Sequence, residues 1–239
     1  MRIIRAGEHI QHIPGWGVTV RESGVAVAES NWWEVAGKTC VAAYQPKGAA
    51  SYAASKVNLA NPGTYDATDG VAYPTWAAAT GWTFNGTNQF LATGGITHVS
   101  GAWSHIIRIA NPVNTGGDVY FYGGWEVPTE NESRISCGIR WGTTRWLSIW
   151  GNGASTFVSA DFPAVVGQAN ARLYINGTDK GAAGGTISKT MDQLYLVGAR
   201  GFGSSASLFY AGDILAFAVY SQTLTAAEMA TVSAAMAAL

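Results

Sequence analysis

Between Arg134 and Trp141 apolar and polar positions alternate without a break, with Ile135, Cys137, Ile139 and Trp141 on one parity and Arg134, Ser136, Gly138 and Arg140 on the other. A period of two sends successive side chains to opposite faces of a strand, so this stretch predicts a strand with one buried face. Gly142-Thr143-Thr144 then offers a turn, a partner strand follows over Arg145–Trp150, and Asn152-Gly153 turns the chain again toward Ser155–Val158. Similar signals predict strands over Thr39–Tyr44, Trp82–Leu91, Trp103–Ala110, Val119–Trp125, Leu173–Ile175, Leu194–Gly198 and Gly212–Tyr220. Within Trp103–Ala110, the residues Trp103, His105, Ile107 and Ile109 share a face. Asn176-Gly177 is a strong two-residue hairpin signal, because a type I′ turn needs positive φ at both central positions.

The two ends of the chain read differently. Thr225 followed by Glu228 makes a capping box, and the alanine-rich AAEMATVSAAMAAL predicts one short closing helix that packs through Met229, Val232, Met236 and Leu239. At the other end Val18, Val20, Val25 and Val27 alternate around Glu22-Ser23-Gly24, which predicts an N-terminal arm or added hairpin over residues 1–37. The domain proper then spans 38–239, and Gln45–Thr80 is a long irregular connection, either functional or packed over the surface. The fold class is all-β, an antiparallel β-sandwich with one C-terminal helix.

The order "LYxNG", "LxLG", "F(x)xGxIxxFxxY", "LTxxE", carried by Leu173, Tyr174, Asn176, Gly177, Leu194, Gly198, Gly212, Ile214, Phe217, Tyr220, Leu224 and Glu228, resembles the laminin-G-like, or concanavalin A-like lectin and glucanase, jelly-roll family. Trp82–Leu91 resembles that family's entry strand. The resemblance implies a jelly roll, and the same fold serves lectins, hydrolases and structural proteins. Two positions depart from the family. Leu215, Ala216 and Ala218 stand in the closing strand where charged residues are usual, so its outer face needs a cover: the arm, the helix or another subunit. The Trp-His pair usual before "LYxNG" is also missing from PAVVGQANARLYING. The phrase YQPKGAASYAASKVNLANPGTYDATDG is similar to proteins encoded by tailed phages, which implies a virion-associated protein.

Composition narrows the function classes. A chain of 239 residues with 48% hydrophobic content suits one sizeable core, and its charged fraction of 12% is about half the usual share. A formal net charge of -1 without a Lys/Arg cluster excludes nucleic acid as the expected partner. MRIIRAGEHIQHIPGWG lacks a continuous apolar stretch and no apolar run reaches membrane length, so neither a signal peptide nor a membrane partner is expected. The expected location is a virion or extracellular surface reached without a signal peptide. Cys40 and Cys137 are too few for a disulfide framework, and Cys137, alternating with Ile135 and Ile139, reads as a buried inert thiol.

Catalytic chemistry finds little to work with. Glucanases of the resembled family carry E-x-D-x-(x)-E on a strand, and this motif is absent; the nearest acids are Glu126, Glu130 and Glu132 in WEVPTENES, where Pro128 and Asn131 favour a turn. His9, His12, His98 and His105 have no ligand at metal spacing. Some laminin-G-like proteins hold calcium at the sandwich rim, and Asp118, Asp179 and Asp192 are the acids near strand ends here, but isolated acids belong to turns and no cofactor is expected. Aromatics are more informative. Trp146 and Trp150 share a strand parity with Ser148, opposite Leu147 and Ile149; with Leu147 and Ile149 toward the core, both tryptophans face outward beside Arg140 and Arg145. Flat rings beside guanidinium donors suit a sugar or a protein partner.

The sequence therefore predicts a non-catalytic recognition or structural module, a phage fibre or capsid decoration protein binding surface carbohydrate through Trp146, Trp150, Arg140 and Arg145, and forming a homo-oligomer. The alternatives are a purely structural assembly protein whose partners are other virion subunits, and a glycoside hydrolase using Glu130 and Glu132.

Overall fold

The computed structural model describes residues 10–12, 19–21, 31–96, 102–125, 134–140, 145–150, 153–158, 162–182, 193–195, 200–202 and 205–239. The chain divides into two compact units, Met1–Asn31 and Trp32–Leu239. In the first, β1 (Ile10–His12) pairs antiparallel with β2 (Thr19–Arg21), Ile10 opposite Arg21. The turn expected at Glu22-Ser23-Gly24 lies outside the described residues. The boundary falls after Asn31 rather than after Gly37, because Trp32, Trp33 and Val35 pack into the larger unit.

The strands of the larger unit begin with β3 (Cys40–Tyr44), β4 (Thr68–Asp69), β5 (Thr75–Ala77), β6 (Gly81–Asn85), β7 (Leu91–Ala92) and β8 (Ser104–Ala110). They continue with β9 (Asp118–Trp125), β10 (Arg134–Arg140), β11 (Arg145–Trp150), β12 (Gly153–Val158), β13 (Ala164–Ala169) and β14 (Arg172–Ile175). Then come β15 (Thr178–Ala182), β16 (Gln193–Tyr195), the small pair β17 (Arg200–Phe202) and β18 (Ser205–Ser207), and β19 (Ala211–Tyr220). Helix α1 covers Tyr52–Ser55 and α2 covers Ala226–Ala238. Among the described residues one sheet runs β12-β11-β10-β9-β16-β7-β4, and a second runs β15-β14-β13-β8-β19-β6-β5 with β3 also on β19. All these strand pairs are antiparallel.

The two sheets close on one core, making the antiparallel sandwich that the alternation predicts. Tyr44, Trp82, Ile107, Val166 and Phe217 of the second sheet meet Leu91, Val119, Tyr122, Cys137 and Ile139 of the first, all almost fully buried. One polar side chain from each sheet pairs across the core. Tyr122 donates its hydroxyl to Gln168 Oε1, and Gln168 Nε2 donates to the Ser136 carbonyl at 3.2 Å. His105 packs against Tyr122 and Phe217 at centroid distances of 5.2 and 6.5 Å, on the expected face with Ile107 and Ile109. It is a core histidine, with no exposure.

The entry stretch differs from the expectation of a single strand over Trp82–Leu91. The strand stops at Asn85, whose Oδ1 accepts from the Thr87 and Asn88 amides at 2.9 and 3.3 Å, and Gly86 takes φ 73°. This side-chain-closed turn carries the chain from the second sheet to β7 in the first. The Asn176-Gly177 hairpin is as predicted, with φ 50° and 76°.

Strand β19 is buried at every position, which explains its lack of alternation. Its inner side joins the sandwich core. Outside, Ala216, Ala218 and Tyr220 lie with Ile106, Val165 and Tyr174 beneath Met229, Val232 and Met236 of α2, and beneath Trp32, Trp33 and Val35. Helix and connecting segment supply the cover that the apolar strand requires. The capping box is present as expected: Glu228 N–H donates to Thr225 Oγ1 at 3.3 Å, and Thr225 N–H to Glu228 Oε2 at 2.7 Å. At the other end Arg108 of β8 donates to the Met236 carbonyl at 3.0 Å, a cation where the helix dipole favours one. No helix among the described residues is long and apolar enough to cross a membrane.

Candidate binding site

The long connection between β3 and β6 is pinned rather than loose. Helix α1 is capped by Ser51, whose Oγ accepts from Ala54 N–H at 3.1 Å. Ser55 fastens it below: its hydroxyl donates to the Tyr52 carbonyl at 2.7 Å and accepts from the buried Trp82 Nε1 at 2.8 Å. Asn58 does the rest. Fully buried, it accepts from Ala43 and Ala60 amides at 2.9 and 3.1 Å and donates to the Val41 and Thr64 carbonyls at 2.9 and 2.8 Å. Asp66 accepts from the backbone N–H of Asn58 and of Gly63 at 2.8 and 3.2 Å.

On this frame a patch of aromatic and charged side chains opens to solvent beside β4, the terminal strand of the first sheet. Tyr52 donates its hydroxyl to Asp69 Oδ1, and Lys56 Nζ lies 2.9 Å from Asp69 Oδ2. The ammonium also sits 4.4 Å from the centroid of the Tyr52 ring. Tyr73 faces that ring at 6.1 Å and 41°, with 63% of its surface exposed; Val71 nearby in sequence is 93% exposed. The segment carrying Tyr73 is held by backbone pairing, Gly70 N–H to the Phe90 carbonyl at 3.0 Å and Phe90 N–H to that of Ala72 at 3.3 Å. A Cβ at position 70 would stand 2.5 Å from the Phe90 ring, so a larger residue there must displace that ring.

Burial pushes the Asp69 carboxyl up, but the Tyr52 hydroxyl and the Lys56 ammonium outweigh it and leave the group below its usual range. The Tyr52 phenol moves the other way, raised by burial and then by its bond to Asp69. At neutral pH the patch is thus a carboxylate held between a phenol and an ammonium, next to an open tyrosine ring. It can stack on a flat apolar face and exchange hydrogen bonds at its rim.

The residues expected to bind, Arg140, Arg145, Trp146 and Trp150, lie near the other end of the same sheet, where the description is of backbone alone. The register brings Arg140 opposite Arg145, Ile139 opposite Trp146, Cys137 opposite Ser148 and Ile135 opposite Trp150. Directly opposed residues share a face. Cys137 and Ile139 belong to the core. The expected outward placing of Trp146 and Trp150 concerns side chains that lie outside those described.

Other candidates resolve simply. Glu126, Glu130, Glu132, His98 and Asp192 lie outside the described residues. Cys137 is buried and its thiol is pushed up by that burial; burial likewise pushes the Cys40 thiol up to about 12. Asp179 is engaged by Arg172 at 2.7 Å, and no group of His, Cys, Asp and Glu able to hold a metal occurs among the described residues. A cleft of about 330 Å³ beside Trp33, Val35, Lys38 and Cys40 has its ammonium committed, since Lys38 Nζ donates to the Thr223 carbonyl at 2.9 Å and lies 3.6 Å from Glu228. Sequence reasoning missed Tyr52, Lys56, Asp69 and Tyr73; the signal available was the long irregular segment itself.

No family model matches the chain, and no curated protein matches it. Among solved structures it is similar to Trypanosoma rangeli sialidase in complex with sialic acid, with TM-score 0.59 and 15% identity over 82% of this chain and 32% of that one. A mutant of the same sialidase displaying trans-sialidase activity gives TM-score 0.60 and 14% identity over 83% of this chain and 33% of that one. Domain 4 of AbnA, an extracellular GH43 arabinanase from Geobacillus stearothermophilus in complex with arabinotriose, gives TM-score 0.51 and 12% identity over 82% of this chain and 98% of that domain. The chain spans about a third of the sialidase chains. At these identities the likeness is one of fold, and it agrees with the antiparallel β-sandwich described above.

Proposed function

We propose that this chain is a non-catalytic carbohydrate-recognition module whose contact surface is the patch of Tyr52, Lys56, Asp69 and Tyr73. The observation that carries the reading is the exposed Tyr73 ring, 6.1 Å from a second tyrosine whose hydroxyl is locked onto Asp69. An open aromatic face beside fixed polar groups matches the alternating C–H faces and hydroxyls of a saccharide. The fold neighbours crystallised with sialic acid and with arabinotriose lend support at the level of scaffold. Asp69 is held ionised by two donors, which suits an acceptor and not a general acid. Residues 44–70, which resemble tailed-phage proteins, contain Tyr52, Lys56 and Asp69, and on that resemblance alone we infer a virion setting. The cover over β19 removes the apolar strand face as a reason for subunit contact.

The test is binding of the purified chain to a panel of bacterial surface polysaccharides, with Tyr73→Ala, Trp146→Ala and Trp150→Ala in parallel. Loss of a stacked ring weakens binding by about tenfold. Such a loss is expected in Tyr73→Ala with the melting temperature unchanged. Loss confined to the tryptophan variants places the contact on β11 instead and overturns the patch.

A further inference from the structure

Resting on that reading of the patch, we infer that it takes neutral saccharides and discriminates against anionic ones such as sialic acids and uronates. The reason is the state of its charges. Lys56 is the ammonium of the patch, and it is already engaged by patch groups, lying 2.9 Å from Asp69 Oδ2 and 4.4 Å from the centroid of the Tyr52 ring. Its side chain is only 19% exposed, while that of Asp69 is 35% exposed. Asp69 is thus the fractionally more open of the two side chains.

An anionic sugar recognised by charge needs a cation with free donors, usually in a two-pronged arrangement. Here it would have to share the Lys56 ammonium with Asp69 and lie beside that carboxylate. A neutral sugar meets no such conflict. Its hydroxyls donate to the open lone pairs of Asp69, a charge-assisted bond, while its C–H face lies on Tyr73.

The inference is tested by calorimetric titration with matched polysaccharides, a neutral galactan against polygalacturonate, for the native chain, Tyr73→Ala and Asp69→Asn. The expected result is binding of the galactan, at least about tenfold weaker binding of the uronate, and loss of galactan affinity in both variants. Equal or tighter binding of the uronate that still falls in Tyr73→Ala overturns the charge selection and leaves the sugar site standing. Uronate binding that rises in Asp69→Asn while galactan binding falls supports the selection directly. Affinity for either polymer that ignores Tyr73→Ala, or no binding of any saccharide, overturns the site itself.

Discussion

The outer face of β19 and the edge beside β4 both carry apolar or aromatic side chains, and they end in opposite states. Over β19, Ala216, Ala218 and Tyr220 are completely covered by Met229, Val232 and Met236 of α2 and by Trp32, Trp33 and Val35. At the β4 edge Val71 and Tyr73 remain open although their backbone is firmly paired. An apolar run in a regular strand therefore signals a cover within the chain, because one whole face of the strand must leave water. A single aromatic in an irregular but fastened segment has no such packing demand, and its exposure is the better pointer to a partner.

The most severe break of this comparison is at the helix. Met229 is fully buried, and its Cε occupies the space over Gly167, where a Cβ would stand only 2.1 Å away. Met229→Ala is expected to cost about 2–5 kcal/mol in denaturant unfolding. Tyr73→Ala should stay within about 0.5 kcal/mol. Equal losses at the two sites would mean that Tyr73 is structural and that the contrast is mistaken.

Next in size comes Gly138, where an added Cβ would meet the Val119 carbonyl oxygen at 1.9 Å and Tyr120 Cα at 2.9 Å. The register between β9 and β10 shifts at Cys137/Gly138, so backbone approaches backbone there and cannot yield as a flexible side chain does. Gly138→Ala is expected to lose about 1–3 kcal/mol. Gly167→Ala should cost less, since the tip of Met229 can swing aside. The reverse order, read from urea midpoints, would show the helix seat to be the more rigid of the two.

These effects show what the sequence makes legible. The Asn176-Gly177 hairpin and the Thr225/Glu228 capping box are local signals, and each appears where the pattern puts it. Alternation marks the strand Arg134–Arg140 but not a single buried face, since Ser136 and Gly138 are buried along with Cys137 and Ile139. The need for a cover over β19 was legible from Leu215, Ala216 and Ala218, though which element supplies it depends on where the chain end returns. The site was much less legible. Tyr52 meets Asp69 across 17 positions, and Asn58 reaches Ala43 across 15, separations that no period or turn signal encodes. The faces of Arg145–Trp150 are hard to read for another reason: both parities carry apolar residues there.

A smaller effect separates local capping from packing. Thr225→Ala removes the acceptor for the Glu228 amide and is expected to cost about 1 kcal/mol. Because α2 is held mainly by Met229, Val232 and Met236, its helical content should survive, as circular dichroism at ambient temperature can show. Melting of the helix in this variant would make the cap, rather than the packed face, the source of the cover's stability.

The gentlest probe is acid, since each region has one carboxylate with a lowered pKa. For Glu228 burial raises the value, and the Thr225 backbone and hydroxyl together with Lys38 bring it below the ordinary one. Asp69 is lowered in the same sense by Tyr52 and Lys56. A folded pKa below the unfolded value means that the group stabilises fully above the unfolded value, about 4.3 for Glu and 3.9 for Asp, and loses that contribution as pH falls through the folded value. Both regions should thus be indifferent to pH between 6 and 8 and weaken on acidification below about 4. They should differ in how far the weakening spreads. Protonating Asp69 frees the Tyr52 hydroxyl and the Lys56 ammonium while Ser55, Asn58 and the Gly70–Phe90 pairing stay in place, so sugar affinity should drop before the fold does. Following Tyr52 and Tyr73 ring resonances through an acid titration, beside the unfolding curve, checks this order. Coincident transitions would show that the patch is fastened by Asp69 itself and not by the frame beneath it.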